Sequence, residues 1–174
     1  MADVGFGCAN FSFAVYIENT PAMAAYKDLD NIKSMTTGEI QSIGLECGNG
    51  WRKVFNVYAK LLYALNRSQF SFACLAPTWQ RYRDRHLLQQ GSGTALLFSP
   101  PQLETNGSTL HIICGKTYAK QLLASGKLDA KLVWLDDQFA IDAQSKLIVC
   151  PYFDYRQLSN IKIERLACLL TQMR

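Results

Sequence analysis

The sequence predicts a single α/β domain over residues 1–174, with a mostly parallel central sheet and helices on both of its faces, three layers in all. Two observations support this prediction. The strand-like segments are continuous apolar runs, which is typical of parallel strands buried on both faces. Segments with helical spacing of apolar residues separate these runs along much of the chain. A chain of 174 residues is long enough to bury a sizeable core.

The first half of the chain predicts one strand and one long helix. Residues 11–17, FSFAVYI, are aromatic and β-branched and predict a strand, which residues 19–21, NTP, end with turn chemistry. Residues 22–44 are mixed and polar, and predict short helices and loops. From Gly50 onward, apolar residues recur three and four positions apart, which predicts the clearest helix of the chain. These positions are Trp51, Val54, Phe55, Tyr58, Leu61, Leu62 and Leu65.

In the middle of the chain, strands and helices alternate. Residues 70–77, FSFACLAP, predict a buried strand that a proline ends. Residues 78–90 predict a helix with Thr78 as its N-cap. Residues 94–98, TALLF, and residues 110–114, LHIIC, predict two further strands.

The C-terminal part continues the alternation. Residues 116–126 predict a short helix that its final glycine ends. Residues 131–135 and 146–150 predict strands, with a short strand and a turn between them. Ser159 or Asn160 is predicted to cap the N-terminus of the last helix. Its apolar face comprises Ile163, Leu166, Ala167, Leu170 and Met173.

Composition and charge exclude several classes of protein. Apolar residues make up 49% of the chain and charged residues 18%, the opposite of the balance that disorder requires. A net charge of +4 permits an anionic partner but falls short of the charge density of a nucleic-acid coat. The chain lacks the roughly 18–20 consecutive apolar residues of a membrane span and the basic region of a signal peptide. We therefore expect a cytoplasmic protein without a membrane partner.

The six cysteines predict free thiols rather than a metal site or a disulfide framework. None belongs to a C-x-x-C pair, and only His86 and His111 could join them as zinc ligands. Cys74, Cys114 and Cys150 lie in or at the end of apolar runs, where a free cysteine behaves as a small hydrophobic residue. Neither a metal nor a cofactor is predicted, and the thiols favour a reducing compartment.

The predicted architecture locates a site before any motif is considered. In open α/β sheets, ligands bind beyond the carboxyl ends of the strands. Four segments of this chain follow predicted strands and are rich in polar or turn-forming residues. They are ENTPAM at 18–23, SPPQ at 99–102, GKTY at 115–118 and PYFDYRQLSN at 151–160.

The segment HIICGKTYAK resembles the end of a phosphate-binding P-loop but departs from its pattern. The motif G-x-x-x-x-G-K-[ST] requires a glycine where this chain has Leu110, and apolar residues fill the place of the open loop. We interpret the segment as a buried strand that turns into a helix at Gly115. A weaker anion site at the N-terminus of that helix remains, with Lys116 as a contact.

The segment PYFDYRQLSN is unusually rich in aromatic and polar residues for a plain connection. Arg156 could bind a phosphate or carboxylate in a bidentate manner, and Tyr152 or Tyr155 could stack on a ring. Alternatively, Asp154 and Arg156 pair locally while the aromatic residues pack beneath the last helix. The sequence leaves both interpretations open.

The helix predicted over residues 78–90 is basic; it carries Arg81, Arg83, Arg85 and His86. Arg81 and Arg85 share a face with Tyr82 between them, as in a nucleic-acid-binding patch. The alternative is a solvated face that Asp84 partly compensates, and we favour this second interpretation. A further basic stripe, also interpreted as solvated surface, comprises Lys53, Lys60 and Arg67.

The order of the four post-strand segments resembles the uracil-DNA glycosylase superfamily, especially its bacterial thermophile-type and mismatch-type branches. In that family, successive strands end in a Pro-Gly turn with the water-positioning residue, a Pro-Pro loop, a glycine before a short helix, and a His-Pro-Ser loop that enters the DNA minor groove. The corresponding stretches here are NTPAM, LLFSPPQ, IICGKTYAKQLL and LIVCPYFDYRQLSN. The resemblance spans most of the chain and implies a uracil-DNA glycosylase-like fold.

The catalytic motifs of that family are altered in this chain. Ala22 stands where the turn glycine belongs, and Cys150-Pro151-Tyr152 replaces His-Pro-Ser. Asn19 is the one candidate for the water-positioning residue. The four-cysteine iron–sulfur pattern is missing from the sequence.

Two hypotheses for function follow. The first is a glycosylase-like protein that binds a nucleobase, nucleotide or nucleic acid at the strand-end crevice and, if an enzyme, hydrolyses an N-glycosidic bond. The second is a non-catalytic α/β module that binds a small anionic ligand or a protein partner, and the altered motifs favour it. The candidate ligand-binding residues are Asn19, Gln102, Lys116, Tyr152, Asp154, Tyr155, Arg156 and Asn160.

Overall fold

The computed structural model describes residues 2–174, which form five α-helices and one sheet of eight strands. The strands are β1 (Gly5–Gly7), β2 (Phe13–Tyr16), β3 (Ile32–Lys33), β4 (Thr94–Leu97), β5 (Leu110–Cys114), β6 (Val133–Trp134), β7 (Ala140–Asp142) and β8 (Leu147–Cys150). The helices are α1 (Glu39–Cys47), α2 (Asn49–Ala64), α3 (Trp79–Arg85), α4 (Lys116–Ala124) and α5 (Asn160–Met173). The predicted α/β class is confirmed.

The sheet is mixed, with the strand order β3-β1-β4-β2-β5-β8-β7-β6. The four central strands, β4, β2, β5 and β8, are parallel to their neighbours within that group. Antiparallel pairing occurs between β1 and β4 and in the β6-β7-β8 edge, where short turns join consecutive strands. The parallel strands therefore bring their carboxyl ends to one edge in the middle of the sheet.

Side chains alternate between two cores, one on each face of the sheet. On β2, Phe13 and Val15 face the larger core, and Ala14 and Tyr16 face the smaller one. Helix α2 contributes Val54, Phe55, Tyr58, Leu61 and Leu62 to the larger core. Helix α4 contributes Tyr118, Ala119 and Leu122 to the smaller core. The apolar spacing that predicted α2 thus corresponds to its buried face.

Strand β1 was not predicted, because its sequence GFG is poor in strand-forming residues. Its glycines allow a close approach to β4. A Cβ atom added at Gly7 would lie 2.3 Å from the carbonyl oxygen of Thr94, and Gly7 has a φ of 130°. Glycine is required there by the neighbouring backbone rather than by a turn.

The predicted strand over residues 70–77 is wrong. The segment forms a short 3-10 turn, Phe72–Cys74, in which Ala73 is buried and Cys74 is exposed. The ring of Phe72 stacks on Phe70 and meets Phe13 edge-on, so the aromatic residues cover one end of the sheet. A short apolar run in the sequence is compatible both with a buried strand and with an irregular segment whose aromatic side chains pack on the sheet.

The helix predicted over residues 78–90 begins as expected and ends early. The side chain of Thr78 accepts a hydrogen bond from the backbone N–H of Arg81 at 3.2 Å, which confirms the predicted N-cap. The helix stops at Arg85, and Leu88 has a left-handed φ of 60°. The predicted glycine end of α4 is confirmed by the φ of 72° at Gly126.

Two tyrosines between the helices and the sheet are fully buried. The Tyr58 hydroxyl donates a hydrogen bond to the carbonyl oxygen of Ala95 at 2.9 Å. The Tyr82 hydroxyl has no hydrogen-bond partner among residues 2–174, although its ring stacks on His86. Burial raises the pKa of each hydroxyl well above the usual value for tyrosine, so both stay protonated.

Candidate functional site

A crevice with a volume of about 560 Å³ lies at the carboxyl ends of β2, β5 and β8. Three of the four predicted post-strand segments meet in it. The residues that line it are Glu18, Cys114, Gly115, Lys116, Thr117, Tyr118, Asp137, Gln138, Pro151, Tyr152, Arg156, Gln157 and Lys162. The fourth segment, SPPQ, contributes none of these lining residues.

The turn from β5 into α4 forms the centre of the crevice. Gly115 adopts a φ of 99°, and its N–H donates to the carbonyl oxygen of Cys150 at 2.8 Å. Helix α4 begins at Lys116, and within residues 2–174 no side chain caps it. The segment is therefore a strand-to-helix turn, as predicted, and the first N–H groups of α4 border the crevice with the positive end of the helix dipole.

Three basic side chains line the crevice near this helix end. The Lys116 ammonium lies 5.1 Å from the centre of the Trp134 ring, which positions it. Lys162 comes from the first turn of α5. Arg156 follows β8, and its side chain is 69% exposed. The crevice therefore offers several donors to a negatively charged group.

Asp154 organises the loop after β8. It accepts hydrogen bonds from the Arg156 side chain, at 3.2 and 2.8 Å, and from the Arg156 backbone N–H at 2.9 Å. The Lys53 ammonium lies 3.5 Å from the Asp154 Oδ2 atom, which also accepts the 2.8 Å hydrogen bond from Arg156. The Arg156 guanidinium, helped by Lys53, holds the pKa of the Asp154 carboxyl well below its usual value. The local Asp154–Arg156 pair that the sequence left open is present, and Arg156 also lines the crevice.

The aromatic residues of this loop differ in their placement. Phe153 is fully buried beneath the helices. Tyr152 is half-buried and lines the crevice; burial raises the pKa of its hydroxyl, and a hydrogen bond from the Asn19 side chain partly offsets this. Tyr155 is exposed, with the Lys53 ammonium 5.0 Å from its ring centre. Asn19 therefore contacts Tyr152, although it is not itself among the lining residues of the crevice.

Three further candidate residues, Tyr155, Asn160 and Gln102, do not line the crevice. Asn160 is the first residue of α5, is exposed and does not belong to the crevice lining. Gln102 lines a separate cavity of about 270 Å³ on the smaller-core side, and its side chain donates to Asp3 at 3.4 Å. The Val4 N–H donates to Ser99 at 2.9 Å, so residues 99–102 run alongside the N-terminal segment.

The separate cavity contains a buried polar pair. The Tyr16 hydroxyl and the Nδ1 atom of His111 are 2.8 Å apart, and both side chains are at least nine-tenths buried. Burial lowers the pKa of His111 to about 4, so its imidazole is neutral at pH 7.

Sequence reasoning missed Glu18, Tyr118 and Lys162. Glu18 lies two residues beyond the end of β2. Burial raises the pKa of Tyr118 and of Tyr152, and the negative charge of Glu18 adds to this effect. All three residues line the same crevice. The signal that could have identified Glu18 was its position shortly after a strand, since that rule selected its neighbour Asn19.

The buried thiol at the base of the crevice is not set up as a nucleophile. Cys114 is 2% exposed, and burial raises the pKa of its thiol well above the usual value. A thiol held protonated reacts slowly. Within residues 2–174, no three His, Cys, Asp or Glu side chains are grouped so that they could hold a metal ion. Across the same residues, every helix is too short or too polar to cross a bilayer.

Residues 4–171 match the model of a protein family described as a family of unknown function, DUF6942. The chain belongs to this family. No curated protein and no solved structure matches the chain. Because the match begins before β1 and ends in α5, the matched region contains the whole sheet and every residue that lines the crevice.

Proposed function

We propose that this protein binds a small anionic ligand, carrying a phosphate or carboxylate group, in the crevice at the carboxyl ends of β2, β5 and β8. The observation that carries the proposal is the start of α4, which has no side-chain cap among residues 2–174 and borders a crevice lined by Lys116, Arg156 and Lys162. Helix N-termini bind anions through their free N–H groups and dipole. Arg156 adds a fork of donors that suits phosphate and carboxylate oxygens.

Glu18 supports a second feature of the ligand. It lines the crevice together with Tyr118 and Tyr152, and a carboxylate accepts hydrogen bonds. A ligand that carries both an anionic group and hydrogen-bond donors suits the basic residues and Glu18. A nucleotide is one such ligand, because its base supplies donors and an aromatic face for Tyr152.

Isothermal titration calorimetry with inorganic phosphate and with adenosine 5′-monophosphate tests the proposal. A hydrogen bond to a charged group contributes about 1.5–3 kcal/mol. Lys116→Ala or Arg156→Ala should therefore weaken binding by roughly 10- to 100-fold. The matched control is Lys127→Ala, an exposed lysine outside the crevice lining, which should bind as the unaltered protein does.

Arg156→Ala should also leave stability nearly unchanged, because Asp154 keeps its contact with Lys53 and its bond to the backbone N–H of residue 156. A large loss of stability would assign Arg156 a structural role. Absence of binding by both ligands at 10 mM, or equal weakening in the Lys127→Ala control, would contradict the anion-binding proposal.

The second candidate function is hydrolysis of an N-glycosidic bond by a glycosylase-like protein. Glu18 favours it, because a carboxylate beside Asn19 at the end of β2 could orient a water molecule. The four parallel central strands with helices on both faces also suit a three-layer, mostly parallel, glycosylase-like fold. Incubation with oligonucleotides that contain uracil or hypoxanthine should then produce abasic sites, and Glu18→Gln should abolish them. No cleavage of any damaged base would exclude this candidate.

A cytoplasmic location remains part of the proposal. The six thiols support it, since Cys8, Cys47, Cys74, Cys114, Cys150 and Cys168 are all free. Free thiols persist in reducing compartments.

A further inference from the structure

The positive charge of the chain is concentrated in α2, α3 and the segment that joins them. Residues 49–86 contain seven Lys or Arg residues and one acidic residue, Asp84, which gives this stretch a charge of +6. The whole chain has a net charge of +4, so the remaining residues together carry −2. A mildly basic chain therefore contains one strongly basic part.

Most of this charge is uncompensated. Lys53 pairs with Asp154, and Arg83 pairs with Asp84. The other five cations have no ion pair with any residue from 2 to 174. These five are Arg52, Lys60, Arg67, Arg81 and Arg85. We call Arg52, Lys60 and Arg67, which lie on one side of α2 and just beyond its end, the basic face.

Trp79 connects the cations of α2 and α3 into one surface. The Lys60 ammonium lies 5.0 Å from the centre of its ring, and the Arg83 guanidinium lies 5.5 Å from it. Arg83 also donates to the Asn56 side chain at 2.6 Å. Arg83 and Arg52 line the same groove, of about 260 Å³. Lys60 and Arg52 therefore flank one continuous surface across the two helices.

Tyr63 extends this surface to the end of α2. Its hydroxyl donates to the carbonyl oxygen of Pro77 at 2.7 Å, directly before the N-cap of α3. The Arg67 guanidinium lies 5.5 Å from the centre of the Tyr63 ring. Two aromatic side chains thus hold Lys60 and Arg67 in place, which lowers the entropy lost when a partner binds them.

The spacing of the cations suits an extended polyanion rather than a single phosphate group. At 1.5 Å per residue, Arg52 and Lys60 are about 12 Å apart along α2, and Arg67 follows three residues after the end of this helix. Double-stranded DNA carries one negative charge per roughly 1.7 Å of its axis, so several phosphates cover such a surface.

We infer that the basic face is a docking surface for the phosphodiester backbone of a nucleic acid. The inference concerns a surface separate from the strand-end crevice and does not depend on the ligand proposed there. The contacts are made to phosphates, so binding is independent of base sequence and depends steeply on salt.

Fluorescence anisotropy with a labelled 20-nucleotide strand and the corresponding duplex tests the inference. Three phosphate contacts predict a slope of log affinity against log salt of about −2.7 for the duplex and about −2.1 for the single strand. The duplex affinity should then fall roughly 40-fold between 50 and 200 mM salt. The two probes show which form the basic face prefers.

The triple variant Arg52→Ala/Lys60→Ala/Arg67→Ala should reduce the magnitude of the duplex slope by about 2.7. Its matched control is Lys120→Ala/Lys127→Ala/Lys131→Ala, which lowers the net charge equally on exposed residues elsewhere and should leave the slope unchanged. Arg52→Glu/Arg67→Glu alters two exposed side chains only, so it tests the same surface if the triple variant fails to fold.

Lys116→Ala should leave nucleic-acid binding intact, which distinguishes this surface from the crevice. The inference is overturned if neither probe binds at 50 mM salt with 100 µM protein. Equal loss of slope in the lysine control would also overturn it, as would tighter binding to phosphatidylserine vesicles than to both nucleic acids.

Discussion

Tyr82→Phe should leave the protein as stable as the unaltered chain or more stable, although it removes a polar group from the core. The Tyr82 hydroxyl is fully buried without a hydrogen-bond partner among residues 2–174. A buried unsatisfied polar group costs about 1–3 kcal/mol. Removing the hydroxyl eliminates that cost, while the ring keeps its contacts with Phe72 and His86. We expect a gain of about 1 kcal/mol, because the small cavity left behind offsets part of it.

The matched control is Tyr58→Phe, which removes the same atom from an equally buried ring. The Tyr58 hydroxyl donates to the carbonyl oxygen of Ala95, so its removal should cost about 1–2 kcal/mol. The two substitutions have the same chemistry and opposite expected signs.

Urea denaturation and calorimetry both measure these effects. A change of 1 kcal/mol in the free energy of unfolding shifts Tm by roughly 2–4 °C for a chain of this size, which calorimetry resolves. The slope of unfolding free energy against urea should stay constant, since the folded surface is the same. If Tyr82→Phe destabilises the protein as much as Tyr58→Phe does, the Tyr82 hydroxyl has a hydrogen-bond partner in solution and the predicted gain in stability is wrong.

Two further predictions concern pH and backbone geometry. His111 is neutral in the folded protein with a pKa lowered to about 4, while an unfolded histidine titrates near 6.5, so the unfolded state binds the proton first. The free energy of unfolding should therefore fall by up to about 3 kcal/mol as the pH drops from 6.5 to 4. His111→Gln should remove this pH dependence. If the urea midpoints of the variant follow the same pH profile as those of the unaltered protein, the prediction is wrong. Gly7→Ala should destabilise by about 3 kcal/mol or more, since its Cβ would lie 2.3 Å from the Thr94 oxygen. Gly50→Ala, at a helical position with open space around it, should instead stabilise by up to about 1 kcal/mol, and equal thermal shifts in the two variants would refute the assignment.

The sequence predicts the central sheet well and its margins poorly, for physical reasons. Strands β4, β5 and β8 are continuous apolar runs because both of their faces are buried, and such runs are visible in the sequence. Strand β1 reads GFG and becomes a strand only because β4 approaches its backbone closely. That approach is a tertiary contact, and single-sequence patterns contain no record of it.

The candidate site shows the same division. The rule that ligands bind beyond strand ends located the segments that contain Lys116, Tyr152 and Arg156, and the structure brings these three together. It did not place Gln102, because the hydrogen bond between Val4 and Ser99 holds that loop beside the N-terminal segment. The path of this loop is thus determined by a contact with Val4, which lies 95 residues away in the sequence.

The pairing of β1 has a consequence for how the chain folds during synthesis. Gly5 lies opposite Leu97 on β4, and β4 begins about 60 residues after β3 ends. Strand β3 pairs with β1, so the whole β3-β1 edge must wait for β4 before it joins the sheet. Contacts between such distant parts of a chain form slowly. The β3-β1 edge is therefore unpaired with the rest of the sheet from its synthesis until β4 follows, and during that interval it depends on not pairing with another chain.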